Sequence, residues 1–428
     1  MKLRRTLAMS AVVALALTAA SVLLPGRDRR NIVDSSLSAT SIGSVRYAKE
    51  RVRLNPADAT AHALLGLAYL NKVKSDADPG FYPKAEASLD RALALDPQNF
   101  ESLFGQANTA LGRHDFIGGL DWARKARGVN TYNSDALGAI GDGLLESGRY
   151  TAAGRAFQRM VDLRPGLPAF ARISYLRELR GDTQGAIQAM RLAVRSAGTP
   201  DDAAWCYFQI GDLWLNSGHP ERARAVFRMA SRLAPGTATA LNGLAKMAAA
   251  EGRLPAAINR MERVIELNRE PGYAIFIGDL YTANYQSKKA SWAYRLAADL
   301  EAAEEANGVN VNLESSLFAA DHGEPAEALA RAQTEYSSRR SIHVADAYAW
   351  ALYSNGRFIQ AKRLSREAFR LGTKSPLFFF HAGMIDLALG REKRAAAELR
   401  TALELNPRFS LIHAPTARKA LVRLAQKG

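Results

Sequence analysis

The stretch "SGRYTAAGRAFQRMVDLRP" (Ser147–Pro165) has a glycine before an aromatic, an alanine-rich amphipathic run and a closing proline. Ala153 and Phe157 stand four apart, which puts them on one face of a helix. Alone it reads as one helix with a start and a stop. The same figure returns in "SGHPERARAVFRMASRLAP" (Ser217–Pro235), "NGRFIQAKRLSREAFRLG" (Asn355–Gly372) and "LGREKRAAAELRTALELNP" (Leu389–Pro407).

Aligning the small residue of each run gives Ala85, Gly119, Ala153, Ala186, Ala223, Ala257, Ala290, Ala328, Ala361 and Ala395, at successive spacings of 34, 34, 33, 37, 34, 33, 38, 33 and 34. A larger residue often follows four places on (Leu89, Phe157, Met190, Phe227, Met261, Tyr294, Leu399), and a small one seven places on. Twelve before the small residue a glycine recurs (Gly141, Gly211, Gly278, Gly383), and twelve after it a proline (Pro97, Pro165, Pro235, Pro407). A sustained period near 34 is the mark of a repeat array.

In these positions the chain resembles the tetratricopeptide repeat, with Leu65-Gly66-x-x-Tyr69, with Ile210-Gly211-x-x-Trp214 followed by Ala223, Phe227 and Pro235, and with Ile277-Gly278-x-x-Tyr281 followed by Ala290 and Tyr294. The resemblance implies an all-α fold, an α-solenoid of antiparallel helix pairs wound as a right-handed superhelix, with about ten units over residues 59–409. One pair cannot bury its apolar face alone, so neighbours must stack. A small residue where helices A and B cross lets them approach, and the large residue fills the gap beyond. Units four and eight carry Ser174 and Ser316 at the glycine position, and are expected to be looser. Residues 45–58 read as an N-terminal capping helix and 410–428 as a C-terminal one. Seven extra residues in "NKVKSDADPGFYP" (Asn71–Pro83) and smaller inserts at Ser196–Asp202 and Glu304–Asn312 fall on a rim, where they can contact a partner or alter the pitch.

The chain begins "MKLRR" and continues with an uncharged, mostly apolar run from Thr6 to Leu24. A basic start before such a run reads as a signal peptide or an uncleaved membrane anchor over residues 1–26, followed by a polar tether over 27–44. Both forms stay open. Either makes the protein exported, periplasmic or secreted if cleaved, and in membrane contact through this segment if not. The 57 Lys and Arg against 42 Asp and Glu leave a net charge of +15. Such a charge suits nucleic acid, an anionic surface or simple solubility, and export argues against nucleic acid.

No catalytic constellation emerges. The seven histidines form no His-Glu-x-x-His, and the single cysteine, Cys206, excludes a disulfide framework and any multi-cysteine metal site. "GAIGDG" (Gly138–Gly143) lacks a preceding strand and sits at the helix crossing. The repeats leave no room for an enzyme domain, so the reading is a non-enzymatic protein without cofactor or small-molecule substrate. Asn108 and Lys246 match in type the carboxylate clamp of some co-chaperone repeats, but stand several units apart.

A helices are rich in Asp and Glu, B helices in Arg and Lys. In the family it resembles, A helices line the concave groove. That implies an acidic groove with candidate contacts at Phe104, Asn108, Asp142, Trp205, Phe208, Asp212, Asp279, Asp346, Trp350, Tyr353 and Phe380. Aromatics beside carboxylates suit a basic or amphipathic peptide. The competing reading makes some of these rings inter-repeat core and pairs the aspartates of the two "IGDL" stretches with a neighbouring helix. The function read from the sequence is a protein-binding scaffold of the cell envelope or secreted space. Its alternative is a binder of anionic envelope polymer or membrane surface through the basic convex face.

Overall fold

The computed structural model describes residues 44–427, and the segments read as leader, anchor and most of the tether lie outside them. The fold is an α-solenoid. A first helix, Val45–Leu54, is capped by Ser44, whose side chain accepts from the Tyr47 N–H. Ten antiparallel hairpins follow, each with a helix A and a helix B. Hairpins 1 to 5 pair Ala59–Asp76 with Tyr82–Leu95, Phe100–Gly112 with Phe116–Val129, Ser134–Glu146 with Tyr150–Leu163, Leu167–Leu179 with Thr183–Arg195, and Pro200–Asn216 with Pro220–Leu233. Hairpins 6 to 10 pair Ala238–Ala250 with Leu254–Leu267, Pro271–Ala283 with Ser287–Ala306, Asn312–His322 with Pro325–Ser338, Ile342–Ser354 with Phe358–Ala368, and Pro376–Ala388 with Glu392–Leu405. The last helix is His413–Lys427. Among the described residues no helix is long and apolar enough to cross a membrane.

The recurring prolines act as stops. Helix B ends at Leu95, Leu163, Leu233 and Leu405, two residues before Pro97, Pro165, Pro235 and Pro407, because the residue ahead of a proline is driven out of the helical region. The recurring glycines make room. A Cβ on Gly383 would lie 2.8 Å from Leu399 Cγ, and one on Gly141, Gly211 or Gly278 would overlap the ring of Phe157, Phe227 or Tyr294. Each large residue of helix B thus sits in the notch left by a small residue of helix A. In hairpins 4 and 8 the serine at the crossing is hydrogen-bonded. Ser174 Oγ donates to the Ala186 carbonyl at 2.8 Å and Ser316 Oγ to that of Ala328 at 2.9 Å, so a hydroxyl clasps helix B where the other hairpins rely on contact alone.

Helix A of hairpin 3 is enclosed on all sides: every residue from Ser134 to Glu146 is buried. The partner helix Tyr150–Leu163 buries only the stripe Tyr150, Ala153, Ala156, Phe157 and Met160. The outer enclosure of helix A is helix B. Its inner enclosure is the chain itself, because after about six hairpins the superhelix lies against its own beginning. Asn310 N donates to Arg113 O at 2.8 Å, Ile342 N to the Tyr150 hydroxyl at 2.7 Å, and Thr373 Oγ1 to Leu179 O. The connections after hairpins 7, 8 and 9 therefore seat on the A–B turns of hairpins 2, 3 and 4.

These turns need a left-handed residue: His114 supplies it in hairpin 2 with φ of 62°, and Gly148, Gly181 and Gly218 supply it in hairpins 3, 4 and 5 with φ of 81°, 71° and 77°. The same glycines admit the second turn of the superhelix: a Cβ there would strike the carbonyls of Arg340, Gly372 and Leu405. Gly323, Gly356 and Gly390, in hairpins 8 to 10 where no further turn stacks, face open space. The spacings of 37 and 38 come from longer helices in hairpins 5 and 7. The insert at Glu304–Asn312 reaches the chain itself, with Val309 and Val311 buried against Leu65 and Tyr69 of hairpin 1.

At the centre of the closure lies a buried ion cluster. Arg339 Nη1 is 3.1 Å from Glu146 Oε2, its Nε pairs with Glu335, and its guanidinium lies 4.5 Å over the Phe116 ring. Burial pushes the Glu146 carboxyl up to about 8, against the pull of Arg339 and with Asp142, Glu314 and Glu335 adding to the rise.

Two predictions follow from this packing. Gly211→Ala lowers stability by about 1–3 kcal/mol through overpacking, and adding Phe227→Leu recovers part of that loss; urea midpoints of the four proteins of the cycle check the coupling. The folded chain holds the Glu146 proton to a higher pH than the unfolded chain does. Stability from this group is full below the ordinary carboxyl value and drains away as pH rises towards 8. The melting temperature therefore falls between pH 5 and pH 8, and Glu146→Gln flattens that fall.

Candidate functional site

The inner face of the A helices was expected to present free carboxylates. In the structure most of them are spent on the neighbouring hairpin. Asp142 pairs with Arg172 at 2.7 Å, Asp212 with Lys246 at 2.7 Å, and Asp386 with Lys362 at 2.6 Å. Asp346 accepts from His381 Nδ1 at 2.9 Å. Three of these contacts join successive A helices, where residues about one repeat apart face each other across the stack, whereas Lys362 reaches Asp386 from helix B of hairpin 9. The guanidinium of Arg172 only partly offsets the burial that raises Asp142.

The candidate rings are core as well. Phe104, Trp205, Phe208 and Phe380 are buried within inter-hairpin clusters, and Asn108 is buried beside Phe104 on the same helix. Cys206 is wholly buried. Trp350 stacks on His381 at 4.2 Å and on the half-buried Tyr353 at 4.6 Å, while its Nε1 donates to Asp321 at 2.7 Å. Asp321 is also 3.2 Å from His413 Nε2, which ties the last helix to hairpin 8. Burial alone would raise Asp321. His413 foremost, then His381 and Trp350, outweigh it and hold the carboxyl below its usual value.

A cavity of about 520 Å³, partly open to solvent, is walled by the A helices of hairpins 5 to 8, the start of hairpin 10 and the segment Asn406–Arg418. Of the eleven sequence candidates it brings only Asp279 to its surface. Its other carboxylates are Glu270, Glu301, Glu304, Glu314 and Asp321, and its apolar walls include Phe276, Leu317, Phe318 and Leu411. Three cations line it, and each is engaged. Lys246 pairs with Asp212, Arg408 donates to Ala250 O, and Arg418 donates to Pro407 O. The cavity is therefore acidic within a basic protein.

Two of its carboxyls are poised near neutrality. Burial raises Asp279 to about 7, opposed by the Tyr294 hydroxyl, which donates to it at 2.9 Å. Burial raises Glu301 to about 7, opposed by Ser315, which donates at 2.6 Å, and reinforced by Glu314 and Glu304. Neither carboxyl forms an ion pair among the described residues. Beside them His322, held below its usual value by burial, lies against the rings of Tyr294 and Phe318 at 4.3 and 4.4 Å. Among the described residues no three His, Cys, Asp or Glu side chains converge as a metal site requires.

Residues 208–268 match the family model of the tetratricopeptide repeat. No curated protein matches the chain. Among solved structures it is similar to one in the crystal structure of the APC/C hetero-tetramer Cut9–Hcn1, at 12% identity over 89% of this chain and 92% of that one, with a TM-score of 0.40. It is similar to yeast Tom70 at 14% identity over 90% and 94%, TM-score 0.34. It is also similar to a tetratricopeptide repeat protein from Parabacteroides merdae at 16% identity over 60% and 98%, TM-score 0.36.

Glu301, Glu314, Asp321 and His413 escaped the sequence reading. Glu314 stood out only as one of several A-helix carboxylates, and nothing in the spacing marks units 7, 8 and the chain end as neighbours. The two roles of aspartate separate by experiment. Asp212→Asn strands the buried Lys246 ammonium and lowers stability by about 3–5 kcal/mol. Asp279→Asn removes a carboxyl whose raised value costs the fold stability at neutral pH, and so raises the melting temperature at pH 7. Thermal melts followed by circular dichroism compare them.

Proposed function

We propose that the chain is a non-enzymatic scaffold which captures a basic or amphipathic protein segment in the acidic cavity of hairpins 5 to 8. The observation that carries this reading is a pair of buried, raised carboxyls, Asp279 and Glu301, facing one apolar-walled space. An apolar cavity with a few convergent polar groups is the common form of a recognition site. A Lys or Arg entering it would complete the pairing that Arg172 and Lys246 make for Asp142 and Asp212. We take the remaining hairpins to be the same repeat as residues 208–268. The family resemblance, in which stacked helices present a pre-formed surface for protein segments, supports the scaffold reading. The basic start and apolar run of Thr6–Leu24 support an exported protein, secreted or anchored. Blotting membrane and soluble fractions of expressing cells separates the last two.

The probe is a fluorescein-labelled twelve-residue peptide of alternating Leu and Lys, read by anisotropy, with a Leu/Glu peptide as control. The Leu/Lys peptide binds and the control does not. Asp279→Asn with Glu301→Gln weakens capture by about tenfold, the size of one charged hydrogen bond, with unchanged helicity. Lysine keeps its charge across the range while Asp279 and Glu301 ionise, so affinity rises between pH 6 and pH 8. Equal capture by wild type and the double variant, or a flat pH profile, overturns the reading.

A second reading has its own observation. On the convex face a cavity of about 450 Å³ is bounded by Arg363, Arg366 and Arg391 around the exposed Ile359. That surface fits an anionic polymer or headgroup. Such binding falls steeply with salt, and Arg363→Glu with Arg366→Glu abolishes it while sparing capture of the Leu/Lys peptide.

A further inference from the structure

One wall of the acidic cavity is a part of the chain outside the hairpins. Residues Asn406–Ile412 form an irregular strap between hairpin 10 and the last helix. The strap is shaped rather than slack: Asn406 Oδ1 accepts from Arg408 N at 2.9 Å, and Ser410 Oγ from His413 N at 3.1 Å. Both ends are held. Leu405 closes helix B of hairpin 10, and Ala417 and Ala420 of the last helix pack with Leu399 and Ala402.

Between these anchors, three groups reach across the cavity to other hairpins. The Arg408 guanidinium donates to Ala250 O at the C-terminal end of helix A in hairpin 6, where the helix dipole favours a cation. Leu411 packs against the core shared by hairpins 6 and 7. His413 Nε2 meets Asp321 of hairpin 8. Cation, aliphatic group and imidazole lie in that order along one short segment, matching in order a helix end, an apolar wall and a carboxylate.

We infer that this strap is a cis-bound occupant of the recognition site, and that the partner is a protein segment carrying the same pattern, Arg-x-x-Leu-x-His or a Lys or Arg in the last place, which displaces it. The inference rests on the cavity being the capture site. Because the strap is anchored at both ends, it can leave as a loop while the last helix stays docked on hairpin 10. The partner then occupies the contacts that the strap vacates, and its cation reaches Asp279 and Glu301 beyond Asp321.

The test uses the full-length protein and a labelled synthetic peptide with the sequence of residues 406–419, NPRFSLIHAPTARK. The protein variant Arg408→Ala/Leu411→Ala/His413→Ala, its strap weakened, binds this peptide about tenfold or more tightly than wild type does. A peptide with the same three alanines binds neither protein. Adding the intact peptide to wild type speeds hydrogen exchange at residues 406–412 and nowhere else. That last measurement needs no variant and decides the matter if the variant does not fold. Equal affinity for both proteins, loss of binding in a folded variant, or unchanged exchange in the strap overturns the inference. If NPRFSLIHAPTARK fails while the Leu/Lys peptide still binds, the pattern is wrong and the cavity reading stands; if both fail, the cavity reading fails first.

Discussion

The crossing of helices A and B, with a small residue on one and a large residue on the other, is the constraint on which the architecture depends. A glycine at 141, 211, 278 or 383 leaves a notch, and Phe157, Phe227, Tyr294 or Leu399 fills it. The contact is steric, so it fixes distance as well as angle between the helices. Repeating it about every 34 residues repeats the same small rotation between hairpins. Where serine replaces glycine, its hydroxyl grips the facing carbonyl, and the crossing is preserved by a hydrogen bond.

Repeated rotation brings the chain back onto itself, and the site follows from that return. An open superhelix would leave the inner face of its A helices to solvent and partners. Here the turns of hairpins 2 to 5 receive the chain after hairpins 7 to 10, in hairpins 3 to 5 through glycines that are both left-handed and bare. The inner face becomes interior. Carboxylates there had to find partners or lose their charge. Asp142 and Asp212 found cations one hairpin on, whereas Asp279 and Glu301 have burial and a single hydroxyl each. That inequality turns a generally acidic face into an acidic cavity, and the strap of residues 406–412 walls one side of it.

The fold was legible at the level of the repeat because its signals are local. Helix stops, turn glycines and the small-to-large spacing each operate within one hairpin. Much of the candidate site was legible only as chemistry. Acidic A helices and basic B helices are plain in the sequence, and aspartate in "IGDL" was open to both a local and a ligand reading. The two copies divide: Asp212 is local and Asp279 faces the cavity. Lys246, 34 residues after Asp212, is the visible signal for the first outcome, and the position 34 residues after Asp279 is Leu313.

By itself the sequence determined the helix pairs, their order and the sign of charge on each face, since these depend on residues within one or two repeats of each other. It could not say which inner residues remain accessible. That depends on how far small rotations accumulate over six hairpins, and a change of a few degrees per hairpin would separate Glu146 from Arg339 and His413 from Asp321. Only the tertiary structure sums those rotations, and so only it decided which inner residues pair with one another and where the acidic cavity lies.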